Sequence, residues 1–225
     1  MNNPSSERLV LTADGTHSLY SPVFNQHYHS LHGALQESRH IFIGLGLEPL
    51  LQANAPSTPI QIFEMGFGTG LNALLAWQLA DRLRQPVTYL GVEAFPISEA
   101  EAAQLNFGEQ TGQAGLSQLH RAAWGTSQVL SDYFTFQKQH TTLQAFRPEV
   151  LYDVIFYDAF APGAQPELWS EATFAQVAAF TRPGGYLVTY SSKGSVRRAL
   201  QAAGFAVEKH PGPGTKREVV RAVRL

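Results

Sequence analysis

The sequence contains no cysteine in its 225 residues and only two methionines. A chain without thiols has no disulfide bond, no thiolate zinc site and no cysteine nucleophile. It also lacks an apolar run approaching the ~20 residues of a membrane-spanning helix, because the stretch I-F-I-G-L-G-L ends at Glu48. The polar start M-N-N-P-S-S-E-R does not have the apolar region of a secretory signal. These absences predict a soluble, cytoplasmic protein without a membrane partner.

What the sequence does contain is an ordinary globular composition with an uneven distribution of charge. Hydrophobic residues make up 44% of the chain and aromatic residues 11%, which is enough for the core of one α/β domain with additions. The net charge is only −2, yet the segment after position 192 carries eight basic residues against two acids. This split favours either an anionic partner that meets one face of the protein or a solvated basic face.

The order of predicted elements indicates an α/β fold. Residues 7–24 alternate around an A-D-G-T turn, which predicts a β-hairpin, and a helix is predicted from about Ser30. From Ile60 strands alternate with helices, a pattern typical of a mostly parallel sheet with helices on both faces. Ser98 and Glu101 have capping-box spacing, which predicts a helix over 98–106. The last residues predict an antiparallel hairpin. We expect an N-terminal extension over 1–55, acting as a lid or as a substrate platform, and a core domain over 56–225.

A glycine-rich turn follows the first strand of the core. The stretch I-Q-I-F-E-M-G-F-G-T-G-L-N (60–72) reads as a buried strand, a tight turn and a helix N-terminus. A dinucleotide fingerprint requires its third glycine at position 71, which is Leu71, so G-x-G-x-x-G fails and G-x-G-x-G holds. The shorter pattern is typical of a Rossmann-like fold that binds S-adenosyl-L-methionine (SAM), although glycine turns also occur for packing alone.

Three acids end three apolar strands of the predicted sheet, namely Glu64, Glu93 and Asp158. Ligands of doubly wound sheets bind at the carboxyl ends of the strands, so these side chains are candidates for one site. Glu93 has the spacing of an acid that accepts both ribose hydroxyls; Glu64 either orients the methionine end or holds the turn. Asp158 begins a rigid D-A-F-A-P loop. It either accepts an N–H of an amine acceptor or caps backbone amides.

The segment H-Y-H-S-L-H places His27, His29 and His32 close together in the sequence. No carboxylate lies within the cluster at metal-ligand spacing. We therefore predict that these histidines line a binding pocket and that the protein uses no metal.

The longer motifs resemble a known family, the SAM-dependent methyltransferases that act on the wobble uridine of tRNA. In many bacteria this enzyme forms the N-terminal half of a bifunctional 5-methylaminomethyl-2-thiouridine synthesis protein. The similarity rests on six stretches: H-G-A-L-Q-E-S-R-H-I-F-I (32–43), E-M-G-F-G-T-G-L-N (64–72), V-E-A-F-P (92–96), D-A-F-A-P-G-A-Q-P-E-L-W-S (158–170), R-P-G-G-Y-L-V-T-Y-S-S-K-G-S-V-R-R-A-L-Q-A-A-G-F (182–205) and G-P-G-T-K-R-E (212–218). It thus covers nearly the whole chain.

This resemblance implies methyl transfer from SAM to the primary amine of 5-aminomethyl-(2-thio)uridine in the tRNA anticodon. Asp158 would be the catalytic residue beside that amine and would also lie against the cofactor. The other implied residues are, for SAM, Glu64, Gly66, Gly68, Gly70, Asn72 and Glu93, and, for phosphates of the anticodon arm, Lys193, Arg197, Arg198, Lys216 and Arg217. The chain ends at Leu225, so we expect a separate enzyme to supply the aminomethyl substrate.

Two other functions are compatible with the same fold. An aminopropyltransferase or a small-amine methyltransferase also needs an acid near an amine, but it does not need the basic C-terminal segment. A non-catalytic RNA-binding module would not need the acids and glycines of the strand ends.

Many SAM enzymes have an acid after the fourth strand that binds the adenine amine. The corresponding stretch here, Q-K-Q-H-T-T-L, contains no acid, and no residue is therefore assigned to adenine.

Overall fold

The computed structural model describes residues 8–53, 58–214 and 216–225. Eleven strands are assigned within these ranges: β1 Leu9–Leu11, β2 His17–Ser21, β3 Gln26–His27, β4 Ile60–Met65, β5 Val87–Glu93, β6 Gln128–Ser131, β7 Phe134–His140, β8 Tyr152–Tyr157, β9 Thr181–Thr189, β10 Phe205–Pro211 and β11 Glu218–Arg224. The α-helices there are α1 Ala34–Ser38, α2 Glu48–Ala53, α3 Leu71–Leu83, α4 Glu99–Ala102, α5 Phe107–Thr111, α6 Leu116–Arg121, α7 Glu171–Phe180 and α8 Gly194–Ala202. A π-helical stretch, Arg39–Leu47, joins α1 to α2, and a 3₁₀ turn, Pro166–Trp169, precedes α7.

The main sheet has eight strands in the order β10-β11-β9-β8-β4-β5-β7-β6. The pairs β4–β5, β4–β8, β5–β7 and β8–β9 are parallel, whereas β6, β10 and β11 pair with their neighbours in the antiparallel sense. This arrangement confirms the predicted Rossmann-like fold with its antiparallel C-terminal hairpin. The chain order reverses beside β4, which is where open α/β sheets bind ligands.

Both faces of the sheet are covered, because alternate residues of each central strand enter different cores. Ile62 packs in a core formed with α3 and the π-helical stretch. Its neighbour Phe63 packs on the opposite face with residues of α7 and α8. At Gly46 the π-helical stretch approaches the sheet so closely that a Cβ would lie 3.0 Å from a methyl group of Val188. The continuous apolar runs of the strands follow from this double burial.

The N-terminal extension is a small antiparallel sheet followed by a helical segment. β1 pairs with β2 as predicted, and the short strand β3, which the sequence did not reveal, adds a third strand. Leu19 and Ala34 are fully buried in the same core as Ile62, so the extension packs directly on the main sheet. The predicted boundary at residues 55 and 56 lies outside the described residues and stays a prediction.

The helix predicted over 98–106 is shorter than expected. The capping box of Ser98 and Glu101 is present, but α4 ends at Ala102. Asn106 then leaves the helical path, because its side chain accepts a hydrogen bond from His17 N (2.8 Å) and donates to Gly15 O (2.9 Å). These tertiary hydrogen bonds tie the N-terminal hairpin to the core. Within the described ranges, no helix has the length and apolar character needed to cross a bilayer.

Candidate active site

A cavity of about 480 Å³ lies at the carboxyl ends of β4, β5 and β8, which are neighbours in the sheet. The three strand ends bring Glu64, Glu93 and Asp158 together, as the parallel topology requires. Glu93 and Asp158 line the cavity. Glu64 does not, because it lies one residue before the end of β4 and is only 1% exposed beneath the cavity wall.

The glycine turn forms part of the cavity wall. Gly66, Gly68 and Gly70 have φ angles of +91°, +50° and +78°, a region that favours residues without a Cβ. A Cβ at Gly66 would lie 2.7 Å from the carbonyl oxygen of Asp158, and one at Gly68 would lie 3.1 Å from the ring of Tyr28. Gly66 and Gly68 therefore expose backbone to the cavity, whereas Gly70 stands outside it as the N-cap of α3.

The carboxylate of Glu93 is held by the backbone around it. Its Oε2 accepts a hydrogen bond from Gly68 N (2.9 Å) and its Oε1 accepts one from Phe95 N (2.8 Å). Burial raises the pKa of Glu93, while these amide hydrogen bonds act in the opposite direction. Each carboxylate oxygen has a further lone pair, so two acceptor positions remain toward the cavity. Two vicinal ribose hydroxyls need two such acceptors, so the residues present fit the nucleoside part of SAM.

Asn72 joins two of the acids beneath the cavity. Its Nδ2 donates to Glu64 Oε1 (3.0 Å) and to Asp158 Oδ2 (2.9 Å). Within the described part of the chain, Glu64 Oε2 and Asn72 Oδ1 are buried without a hydrogen-bond partner. Burial raises the pKa of Glu64 well above its ordinary value, and the nearby Asp158 and Glu93 charges add to the effect. Glu64 and Asn72 thus support the turn and Asp158 from below.

Asp158 combines a place in the cavity wall with a pKa near neutrality. Burial raises its pKa to about 7, and the charge of Glu37 contributes in the same direction. The hydrogen bond from Asn72 and the charge of Lys216 lower the pKa of Asp158 but do not offset these effects. A carboxylate with a pKa near the working pH is an effective general base.

The N-terminal extension covers the cavity, and this was the main feature that sequence reasoning left open. Phe24 stacks on Phe160 with 4.5 Å between ring centroids, and Tyr28 meets the same ring edge-on at 5.1 Å. His29 bonds through Nε2 to Thr69 Oγ1 (2.6 Å), and burial lowers the pKa of this histidine to about 4. Of the three histidines predicted to line a pocket, His27 and His29 line this cavity, whereas His32 lines a separate cavity of about 180 Å³. The aromatic residues between the histidines were the available signal for the cover.

A second, smaller cavity of about 90 Å³ lies on the other side of Gly68. It contains Lys138, which comes from the stretch that lacks an acid for the adenine amine. The ammonium group of Lys138 lies 4.4 Å from the centroid of Trp124 and donates to His120 O (2.5 Å). His120 in turn donates through Nε2 to Thr69 O (2.9 Å) in the glycine turn. Lys138 thus supports the glycine turn through His120, a role that the sequence analysis did not predict.

The predicted phosphate-binding residues lie at and near the start of α8 and in the loop between β10 and β11. Lys193, Arg198 and Arg217 are exposed, and Arg197 is half-buried. Arg197 and Arg217 both lower the pKa of Glu218, after the larger effect of Lys209, so the two segments are neighbours. Lys216 is different, because it lines the cavity and pairs with Glu37 (2.5 Å). Two other cations of the C-terminal segment, Lys209 and Arg221, also have acidic partners.

The chain is similar to known proteins in sequence and in fold. Residues 133–225 match the family described as S-adenosyl-L-methionine-dependent methyltransferase. The chain is 34% identical over 222 residues to the tRNA 5-methylaminomethyl-2-thiouridine biosynthesis bifunctional protein MnmC of Chromobacterium violaceum, an alignment that covers 88% of this chain and 32% of that protein. The same protein of Pseudomonas putida (strain GB-1) is 33% identical over 223 residues, covering 89% of this chain and 33% of the relative.

Among solved structures, the crystal structure of MNMC2 from Aquifex aeolicus superposes with a TM-score of 0.76. The two chains are 24% identical, and the match covers 96% of this chain and 69% of the other. This similarity establishes the shared fold of the core together with its extension. The chain spans about one third of the length of the curated relatives it matches.

Proposed function

From the premise that this chain is a SAM-dependent methyltransferase related to the MnmC proteins over nearly its whole length, we propose that it methylates the amine of 5-aminomethyl-(2-thio)uridine at the wobble position of tRNA. The product is 5-methylaminomethyl-(2-thio)uridine. The observation that carries the proposal is the single cavity in which Glu93 of a nucleoside site and Asp158 of an amine site face the same space. Methyl transfer does not generate the aminomethyl group, so a separate activity supplies it.

At the cofactor end, the proposal assigns SAM to the wall made by Gly66, Gly68 and Glu93. When bound, SAM supplies an activated methyl group. Glu93 accepts the ribose hydroxyls, and the glycine turn allows close approach of the ligand to the backbone. Gly70 contributes indirectly by starting α3, while Glu64 and Asn72 hold the turn and Asp158 in place from beneath.

At the acceptor end, Asp158 holds and removes a proton. The acceptor amine is a cation when protonated and must lose a proton before its lone pair can react. Asp158 Oδ2 is bound by Asn72, and Oδ1 has no hydrogen-bond partner in the described ranges, so Oδ1 is the atom that accepts the amine N–H. The aromatic rings of Phe24 and Phe160 exclude water from one side of the cavity. Alignment and proton removal are the contributions of the protein.

The basic segment supplies affinity for the RNA backbone in this proposal. Lys193, Arg198 and Arg217 are exposed and have no acidic partner among the described residues within ion-pair distance; Arg197 is beside them. Such cations bind phosphates without reading the sequence and make binding sensitive to salt. The predicted phosphate contact of Lys216 stays a prediction, since its ammonium already pairs with Glu37 at the cavity.

The test is methyl transfer from labelled SAM to bulk tRNA from cells that lack this modification, followed by nucleoside analysis. We expect label in 5-methylaminomethyl-type uridine, with transfer by the Asp158→Asn variant slower by about 10²- to 10⁴-fold. Label in a free amine such as a polyamine, with none in tRNA, would contradict the proposal in favour of a small-amine transferase. Binding of tRNA without SAM binding would instead indicate a non-catalytic RNA-binding module.

A further inference from the structure

An ion pair between the N-terminal extension and the C-terminal hairpin forms part of the cavity wall. Lys216 Nζ lies 2.5 Å from Glu37 Oε2, although the two residues are 179 positions apart in the sequence. Their side chains are only 29% and 12% exposed. Both residues also line an adjacent cavity of about 180 Å³, so the pair separates two spaces.

The pair lies within electrostatic reach of Asp158. Lys216 Nζ is 4.8 Å from the ring centroid of Tyr190, and the hydroxyl of Tyr190 donates to Ala159 O (2.8 Å), next to Asp158. The two charges also act on the pKa of Asp158 in opposite directions, Glu37 raising it and Lys216 lowering it. A substrate group that contacts Asp158 is therefore close to the ion pair.

The pair presents one donor and one acceptor side by side. Lys216 has three N–H donors, of which Glu37 uses one, and Glu37 retains further acceptor lone pairs beyond its bonds with Lys216 Nζ and Ser30 N (3.3 Å). The edge of uracil next to C5 offers the reverse pattern, with an acceptor at O4 and a donor at N3–H. Cytosine has a donor at the exocyclic amine and an acceptor at N3, so it would place donor against donor at this site.

We propose that Lys216 and Glu37 recognise the O4 and N3–H edge of the acceptor uracil and thereby point its C5 aminomethyl group toward Asp158. This inference rests on the proposed function, because it takes a uridine as the acceptor. Lys216 donates to O4 and Glu37 accepts from N3–H. Both are specificity-determining and positioning residues, and neither takes part in proton transfer from the amine. The assignment gives the buried pair a role in base selection instead of phosphate binding.

The competing explanation is that the ion pair only stabilises the packing of the N-terminal extension against the C-terminal hairpin. The variants Lys216→Met, Glu37→Gln and the charge-swapped double variant Glu37→Lys with Lys216→Glu separate these explanations. The swap restores an ion pair but exchanges the donor and the acceptor. Lys209→Met is the matched control, because it breaks a pair of similar length (2.8 Å to Glu218) on the same hairpin, away from the cavity.

The measurements are kcat and KM with hypomodified tRNA, Kd for SAM and Tm. We expect each single variant to lose about 10- to 100-fold in kcat/KM, the range for one lost hydrogen bond to a charged group. SAM affinity should stay within about twofold, and Lys209→Met should resemble the wild type. The swapped variant should recover Tm without recovering kcat/KM. Recovery of kcat/KM by the swap, or unchanged kcat/KM in both single variants, overturns the inference.

The pH profile gives a second readout, because both charges lie close enough to Asp158 to act on its pKa. Removing Lys216 should raise the apparent pKa of Asp158 in kcat/KM, and removing Glu37 should lower it. The substrate amine titrates identically in every variant, so differences between variants report the enzyme. Shifts of the same sign in both variants contradict the placement of the two charges beside Asp158, on which the inference depends. If the wild-type protein does not methylate hypomodified tRNA at all, the proposed function fails first and this inference fails with it.

Discussion

The two ends of the cavity are built in different ways. The end that we assign to the cofactor is made mostly of backbone, with the turn at Gly66 and Gly68 and one carboxylate, Glu93, fixed by two amides. The end that we assign to the acceptor is made of side chains from four separate parts of the chain: the cover over Phe24 to His29, Glu37 of α1, the loop at Asp158, and Lys216 of the C-terminal hairpin. Contiguous sequence therefore encodes the cofactor end, and tertiary packing creates the acceptor end.

The largest effect should come from Asp158→Asn, which separates catalysis from cofactor binding. Asparagine keeps the shape and the acceptor for Asn72 Nδ2, but it cannot take a proton. We expect turnover to fall by about 10²- to 10⁴-fold, the usual contribution of a general base. Calorimetric SAM affinity should stay within about twofold. Asp132→Asn, an exposed acid, is the control. Equal losses in both quantities would show that the two ends of the cavity are one unit.

The same substitution should stabilise the folded protein at high pH. Burial raises the pKa of Asp158 from 3.8 to about 7, so between these values the folded state holds a proton that the unfolded chain has lost. Stability therefore falls as pH rises through this window. Asp158→Asn removes the penalty, and its Tm advantage over the wild type should grow from pH 5 to pH 8, by about 2–4 °C per kcal/mol. A constant difference in Tm across this window would contradict the raised pKa.

The next effect tests the cofactor end by itself. Glu93→Gln replaces one of two acceptor oxygens by an amide donor that opposes a neighbouring backbone N–H. We expect SAM affinity to fall by about 10- to 150-fold, since hydrogen bonds to charged groups contribute about 1.5–3 kcal/mol each. Isothermal titration calorimetry measures the change, with exposed Glu109→Gln as the control. The affinity for tRNA should stay the same; a parallel loss would place RNA contacts at Glu93.

A smaller effect is expected from the cover. Phe24→Ala removes the stacked contact with Phe160, and such aromatic pairs contribute about 0.5–1.5 kcal/mol beyond the buried area. We expect the KM for tRNA to rise by about 5-fold with little change in SAM affinity. The preceding residue Val23, which is 74% exposed, provides the control Val23→Ala. A larger loss of SAM affinity than of tRNA affinity would assign the cover to the cofactor.

The comparison also explains how much of the molecule the sequence predicted. The strand containing Glu64, the turn at Gly66 and Gly68, and the strand ending at Glu93 follow one another within short windows, where period and turn chemistry are local signals. The sheet order and the gathering of acids at one edge follow from parallel topology. The fold could therefore be predicted from local patterns and parallel topology, without knowledge of any particular long-range contact.

The remaining features depend on contacts that no local pattern encodes. In the sequence, Lys216 is one of several basic residues of the C-terminal segment, and nothing local distinguishes it. Only the packing of the C-terminal hairpin against α1 brings it to Glu37. Lys138 lies in a strand that alternates polar and apolar residues, yet its side chain is 1% exposed because Trp124 and Phe67 enclose it. The helix after Ser98 ended early because Asn106 bonds to the N-terminal hairpin. In each case a tertiary partner overrides local preference.

The smallest effect is expected outside the cavity, at the basic surface. Arg198→Ala removes one exposed cation of α8, so the slope of log K against log salt for tRNA should decrease by about one, with a few-fold loss of affinity. Arg82→Ala, an exposed arginine on α3, is the control. Filter binding across a salt series measures the slope. Because a phosphate contact reads no base, the loss should be equal for modified and hypomodified tRNA; a loss confined to hypomodified tRNA would move base recognition from the cavity to this surface.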